Sequence, residues 1–142
     1  IGASAGRFNT VYATVFDGTA TEALYADVAE KYLCDEKYET GTVLSVGGEK
    51  ELTASSVDNA HSVLGVVSDN PALLMNTGLE DGIAVALKGR VPVKITGSVK
   101  QGDRLAPSLI KGKAEANNDR MAWSFAIALH DSDGDIVEAV IL

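Results

Sequence analysis

The sequence predicts a mainly β chain: a small β-barrel or sandwich-like domain with one short helix and an extended segment at its N-terminal end. Three observations carry this reading. Fourteen Gly against three Pro among 142 residues, with many Val and Thr, favour short strands joined by tight turns over packed helices. Short apolar runs recur along the chain and are bounded by Gly, Asn, Asp or Ser, the pattern of a small barrel or sandwich. The 46% hydrophobic fraction rests mostly on Ala, Val and Leu, with one Trp, four Tyr and three Phe, so small aliphatic side chains fill the expected core.

Taken in order, Ile1 to Thr21 is rich in Gly, Ala, Thr and Asn, and its one strong pattern is the alternation from Thr10 to Phe16. Val11, Ala13 and Val15 point one way and Tyr12, Thr14 and Phe16 the other. A strand apolar on both faces needs neighbours, which identical segments of other chains would provide; the plainer alternative is an N-terminal strand on the domain's own sheet. Residues 1–21 are therefore separated from a β-rich domain over 22–142. Glu22 to Tyr32 reads as the short helix, with Leu24, Val28 and Tyr32 on one face and Thr21 as its cap; an extended conformation is the alternative. Gly41 to Val46, the Gly47-Gly48 turn and Glu49 to Ala54 read as a hairpin. Further strands are expected at His61 to Val67, Gly82 to Leu87, Arg90 to Thr96, Asp103 to Ala106, Met121 to Leu129 and Asp135 to Leu142. Turns are expected at Gly89-Arg90, Gly102-Asp103 and Ser132 to Asp135.

Composition narrows the function. A net charge of −8 argues against nucleic acid, whose phosphates call for clustered Lys and Arg. The single Cys, Cys34, excludes an internal disulfide framework and a thiolate zinc site, and reads as a buried or inert thiol. Apolar runs such as Ile83 to Leu87 fall far short of the roughly 20 residues a spanning helix needs, so no membrane insertion is expected. The chain begins at Ile1 with no initiator Met and no signal-peptide pattern, and is expected to be a piece of a longer protein.

Motifs for chemistry are sparse. Asp131-Ser132-Asp133-Gly134-Asp135 is rich in oxygen donors, as a Ca²⁺ loop is, but it lacks the EF-hand glycine, twelfth-position Glu and flanking helices. It reads as a hairpin turn. His61 and His130, without companion Cys or carboxylate motifs, read as strand-edge residues. Ser68-Asp69-Asn70 also occurs in serine β-lactamases, but no Ser-x-x-Lys, Gly-x-Ser-x-Gly or Lys-Thr-Gly accompanies it, and Asp69-Asn70-Pro71 reads as a strand-ending turn. Asp35-Glu36 and Glu80-Asp81 read as solvated surface. No phosphate loop is present. No catalytic residue, cofactor or metal ligand is assigned, and the chain is expected not to be an enzyme.

Two stretches carry a resemblance to a known family. Gly6-Arg7-Phe8-Asn9-Thr10-Val11-Tyr12-Ala13 followed by Phe16-Asp17-Gly18-Thr19-Ala20 resembles the repeat that ends phage tail-fibre shafts. Tyr25 to Tyr32, Gly41-Thr42-Val43, Gly47-Gly48, Gly65 to Ala72 and Leu87 to Val93 resemble the terminal domain of phage tail fibres and other virion structural proteins, distantly related to the autocleaving peptidase G2 domain of phage appendages. The resemblance implies a β-rich module on a trimeric shaft, serving trimer assembly, host attachment or both. It carries no catalytic residue across.

The expected function is that of a virion structural protein, the tip of a tail fibre or appendage. Its partners would be itself as a homotrimer, other virion proteins, and a host cell-surface glycan or protein. Receptor contact falls to the long polar connections Asn70 to Gly82 and Ile110 to Arg120. The rivals are an autoproteolytic maturation or chaperone domain, with a carboxylate or Ser near the Val67 to Pro71 turn acting on the backbone, and a capsid or baseplate decoration protein.

Overall fold

A computed structural model describes residues 5–6, 8–15, 17–18, 22–119 and 123–142. The fold is mainly β, as the sequence predicts. Ten strands join one sheet: β1 (Asp27–Tyr32), β2 (Val43–Val46), β3 (Leu52–Ala54), β4 (Val63–Val67), β5 (Leu73–Met75), β6 (Ile83–Lys94), β7 (Arg104–Pro107), β8 (Ala114–Ala116), β9 (Ala126–Ala128) and β10 (Ile136–Ile141). A 3-10 helix, Val57–Ser62, precedes β4. The main path runs β3-β2-β4-β6-β10-β9-β7-β8, with β1 on β6 and β5 on β1. Every pairing is antiparallel except β1 with β5.

The sheet curls until its ends meet. Val43 N–H donates to Gly112 O (2.9 Å), Gly112 N–H to Ser55 O (2.7 Å) and Val57 N–H to Ser108 O (3.2 Å), tying the β2–β3 end to the turn of the β7–β8 hairpin. Fifteen buried residues, among them Val43, Val66, Ala86, Val91, Val93, Leu105, Phe125 and Val137, fill one core. Cys34, Leu44, Leu52, Val67 and Val85 form a second, closed over by Tyr32 and Tyr38. Val43 and Leu44, Val66 and Val67, Ala86 and Val85 each divide between the two cores, as the period of two demands. The middle of the sheet is thus buried on both faces, which accounts for its unbroken apolar runs.

Several expectations need correction. The helix over Glu22 to Tyr32 is absent. Asp27–Tyr32 is β1, paired with β6 from Asp27↔Gly89 to Tyr32↔Ile83 and with β5 from Val28↔Leu73 to Glu30↔Met75. Pairing on both edges overrides the helical leaning of an Ala- and Glu-rich run. Gly89-Arg90 is no turn but the interior of β6, which pairs with β1 through residues 83–89 and with β10 through 89–94. Gly89, at φ +108, lies where a β-carbon would strike Ala26 O and Asp27 Cα, so glycine is there for close approach of β1. The connections 70–82 and 110–119 contain β5 and β8, and Arg120 lies outside the described residues. His61 belongs to the 3-10 helix and not to a strand edge. Residues 10–15 take no strand conformation in the single chain, and Phe16, Met121 and Ala122 lie outside the described residues.

The hairpin β2–β3 forms as predicted, with Val46 opposite Leu52. Gly102-Asp103 closes a turn in which Asp103 N–H donates to Lys100 O (3.0 Å). Ser132 to Asp135 lies in the β9–β10 connection, where Ser132 Oγ donates to Ile136 O (2.8 Å) and accepts from Gly134 N–H (3.2 Å).

Candidate functional site

The start of β1 builds the most unusual polar site. Asp27 is 4% exposed, held down because its backbone pairs with Gly89 of β6 while its carbonyl accepts from Ala72 N–H (2.8 Å) ahead of β5. Its Oδ2 is buried with no hydrogen-bond partner, the only such side-chain atom among the described residues. A carboxylate oxygen removed from water without a donor costs on the order of 1–3 kcal/mol or more. Asp27 lines a cavity of about 300 Å³ together with Tyr25, Ser68, Asp69, Asn70, Arg90 and Glu138. Among the described residues, three carboxylates therefore share the cavity with one guanidinium, and Arg90 reaches Glu138 only at 3.8 Å, both side chains being solvated.

The Ser68-Asp69-Asn70-Pro71 turn sits at this cavity, its Ser68 N–H donating to Ala84 O (3.0 Å). No His, Cys or Lys lines the cavity, so Ser68 has none of these beside it as a base. His61 lines a separate groove with Trp123 and Phe125. His130 Nε2 accepts weakly from Glu138 N–H (3.4 Å).

A second cavity, about 530 Å³, is lined by Cys34, Asp35, Tyr38, Lys50 and Asp81. Two of its polar groups, Tyr38 and Asp35, are engaged with each other. Tyr38 Oη donates to Asp35 Oδ1 (2.6 Å) and accepts from Ala54 N–H (3.1 Å). Burial alone would raise the Asp35 pKa, but hydrogen bonds from Tyr38, Thr53 and the backbone outweigh it and hold the carboxyl below its ordinary value. Burial, then the charges of Asp35 and Glu51, push the Cys34 thiol up to about 11.

The acidic loop near the C-terminus is occupied likewise. Asp131 accepts from Gln101 N–H (2.8 Å) and Lys100 Nζ (3.2 Å), and Asp135 pairs with Lys113 at 3.2 Å. The Gln101 amide, then Lys100, lowers the Asp131 pKa. No cluster of three or more His, Cys, Asp or Glu arranged for a metal occurs among the described residues.

Sequence reasoning found the Ser68 to Pro71 turn but missed Asp27. In the one-dimensional pattern Asp27 is one polar residue within an apparent helix. Only its pairing on two edges buries it.

No family model matches the chain, and no curated protein matches it either. Solved structures do. The crystal structure of the bacteriophage phi29 gene product 12 C-terminal fragment superposes with a TM-score of 0.64 at 14% identity, covering 82% of this chain and 100% of that one. The chain shares the fold of that C-terminal fragment. The crystal structure of pre-mature phi29 gene product 12 gives a TM-score of 0.62 at 15% identity over 88% of this chain. This chain spans 22% of that longer one.

Proposed function

We propose that this domain is a structural component of a phage virion, the terminal module of a tail fibre or appendage that assembles as a homotrimer and contributes to host attachment. The observation that carries the reading is the fold shared with the phi29 gene product 12 C-terminal fragment. Surface chemistry supports the assembly. Phe8, Val11, Tyr12 and Val15 are each more than 60% exposed, apolar area that a lone chain leaves in water and a neighbouring copy would cover. Host contact falls to the connections 70–82 and 110–120, whose described residues include the short strands β5 and β8. An antibody raised to the domain tests the placement: decoration of the tail or its appendages in electron micrographs of the phage supports it, and unlabelled particles refute it.

A second reading is a maturation or chaperone domain of a phage appendage. It is favoured by the pre-mature form among the structural matches. Expression with the natural upstream sequence and intact-mass measurement decides it: cleavage ahead of β1 supports the reading, and an uncut chain removes it.

A further inference from the structure

The Asp27 cavity holds an unmet demand. Its Oδ2 is buried and unpartnered, Asp69 and Glu138 add negative charge at the same cavity, and the one cation there among the described residues, Arg90, is only loosely held at 3.8 Å from Glu138. Neighbouring groups do not answer the demand: Ser68 and Ala72 spend their backbone N–H groups on Ala84 O and Asp27 O. A metal ion does not fit, since these carboxylates form no ligating cluster. The volume, about 300 Å³, admits one long side chain.

We propose that this cavity receives a basic side chain, an arginine above all, from a polypeptide outside this domain. A guanidinium supplies a planar fork of N–H donors matched to a carboxylate, and its weak hydration lets it enter a partly dry site more readily than an ammonium. Tyr25 and Pro92, which also line the cavity, offer apolar surface to the side chain's stem. Such a contact is worth most where both charges leave water together, as at the centre of an interface. The inference stands on the cavity itself and holds whether the domain is a fibre tip or a maturation module.

The test uses the 142-residue chain and blocked amino acids as probes. Nα-acetyl-arginine methylamide is titrated against ¹⁵N-labelled protein, with the citrulline analogue as its neutral isostere and methyl glucoside as a neutral polyol. The expected result is saturable shifts at the Asp27, Asn70 and Arg90 amides, with a dissociation constant of about 1–10 mM for a single charged contact. Citrulline should bind at least about tenfold more weakly, and Asp27→Asn should abolish the response. Because the carboxylate has no partner in the domain, Asp27→Asn should also melt no lower than the parent chain. A lower mass for Asp27→Asn in light scattering would assign the arginine to a second copy, and an unchanged mass to another protein. Equal shifts with citrulline, stronger binding of the glucoside, no saturable response, or a marked fall in melting temperature on Asp27→Asn would each overturn the proposal.

Discussion

Replacing Gly89 by Ala puts a methyl group into backbone that cannot yield. The β-carbon would lie against Ala26 O and 2.8 Å from Asp27 Cα, and residue 89 would have to hold φ +108. That conformation costs a non-glycine residue about 1–3 kcal/mol. Moving β1 away to relieve the clash also gives up the hydrogen bond from Arg90 N–H to Ala26 O, 3.2 Å long, worth about 1 kcal/mol. With further loss of pairing at the start of β1, the total comes to about 3–5 kcal/mol. For a chain of this size that lowers the melting temperature by about 10–15 °C. Thermal unfolding reads the magnitude, and hydrogen exchange reads the place: amides of β1 and β5 should lose protection while β7, β9 and β10 keep theirs. Gly97→Ala is the control. Gly97 has φ +73 but nothing within 4 Å of its β-carbon, so it should cost only about 1 kcal/mol. Equal effects of the two substitutions, or unchanged protection in β1 of Gly89→Ala, would refute the close-approach argument.

Other consequences follow from the two cores and the Tyr38 network. Leu105→Ala, at a site with no exposed surface, should cost about 2–5 kcal/mol in denaturant unfolding without changing the m-value. Tyr38→Phe removes the group that donates to Asp35 and accepts from Ala54 N–H, and should cost about 1–2 kcal/mol. The Asp35 pKa is depressed in the folded state, so its contribution is present above the unfolded value near 3.9 and lost as pH falls through the folded one. Stability measured from pH 5 downward should therefore fall less steeply in Tyr38→Phe. Cys34, buried with its thiol near 11, should react with iodoacetamide at pH 8 about two orders of magnitude more slowly in the folded chain than in urea.

Much of the fold is legible in the residues because its strands are short apolar runs bounded by Gly, Asn, Asp or Ser. Gly41 to Val46 and His61 to Val67 read as strands, their burial on both faces emerging only from the packing, and Gly47-Gly48 marks the hairpin between β2 and β3. The misreadings share a cause. Gly89 looks like a turn residue, yet it is glycine because Ala26 and Asp27 press against it from a distant part of the chain. Glu22 to Tyr32 has helical spacing, yet β5 and β6 capture Asp27–Tyr32 on both edges. β5 and β8 are three residues long, too short for any period to show. Asp27 escaped notice for the same reason: nothing local distinguishes a solvated aspartate from one whose oxygen is buried by strand pairing sixty residues away. Cys34 was legible as a buried thiol because a lone cysteine in an apolar context has few other uses.

The proposed function turns on assembly. The most direct measurement is the solution mass of the 142-residue chain by light scattering, across micromolar concentrations and with the N-terminal segment intact. The account predicts about three times the 14.8 kDa of one chain, falling toward a monomer when residues 1–21 are deleted while the β-sheet circular dichroism persists. A stable monomer of the full chain at those concentrations would contradict the trimeric fibre-tip reading.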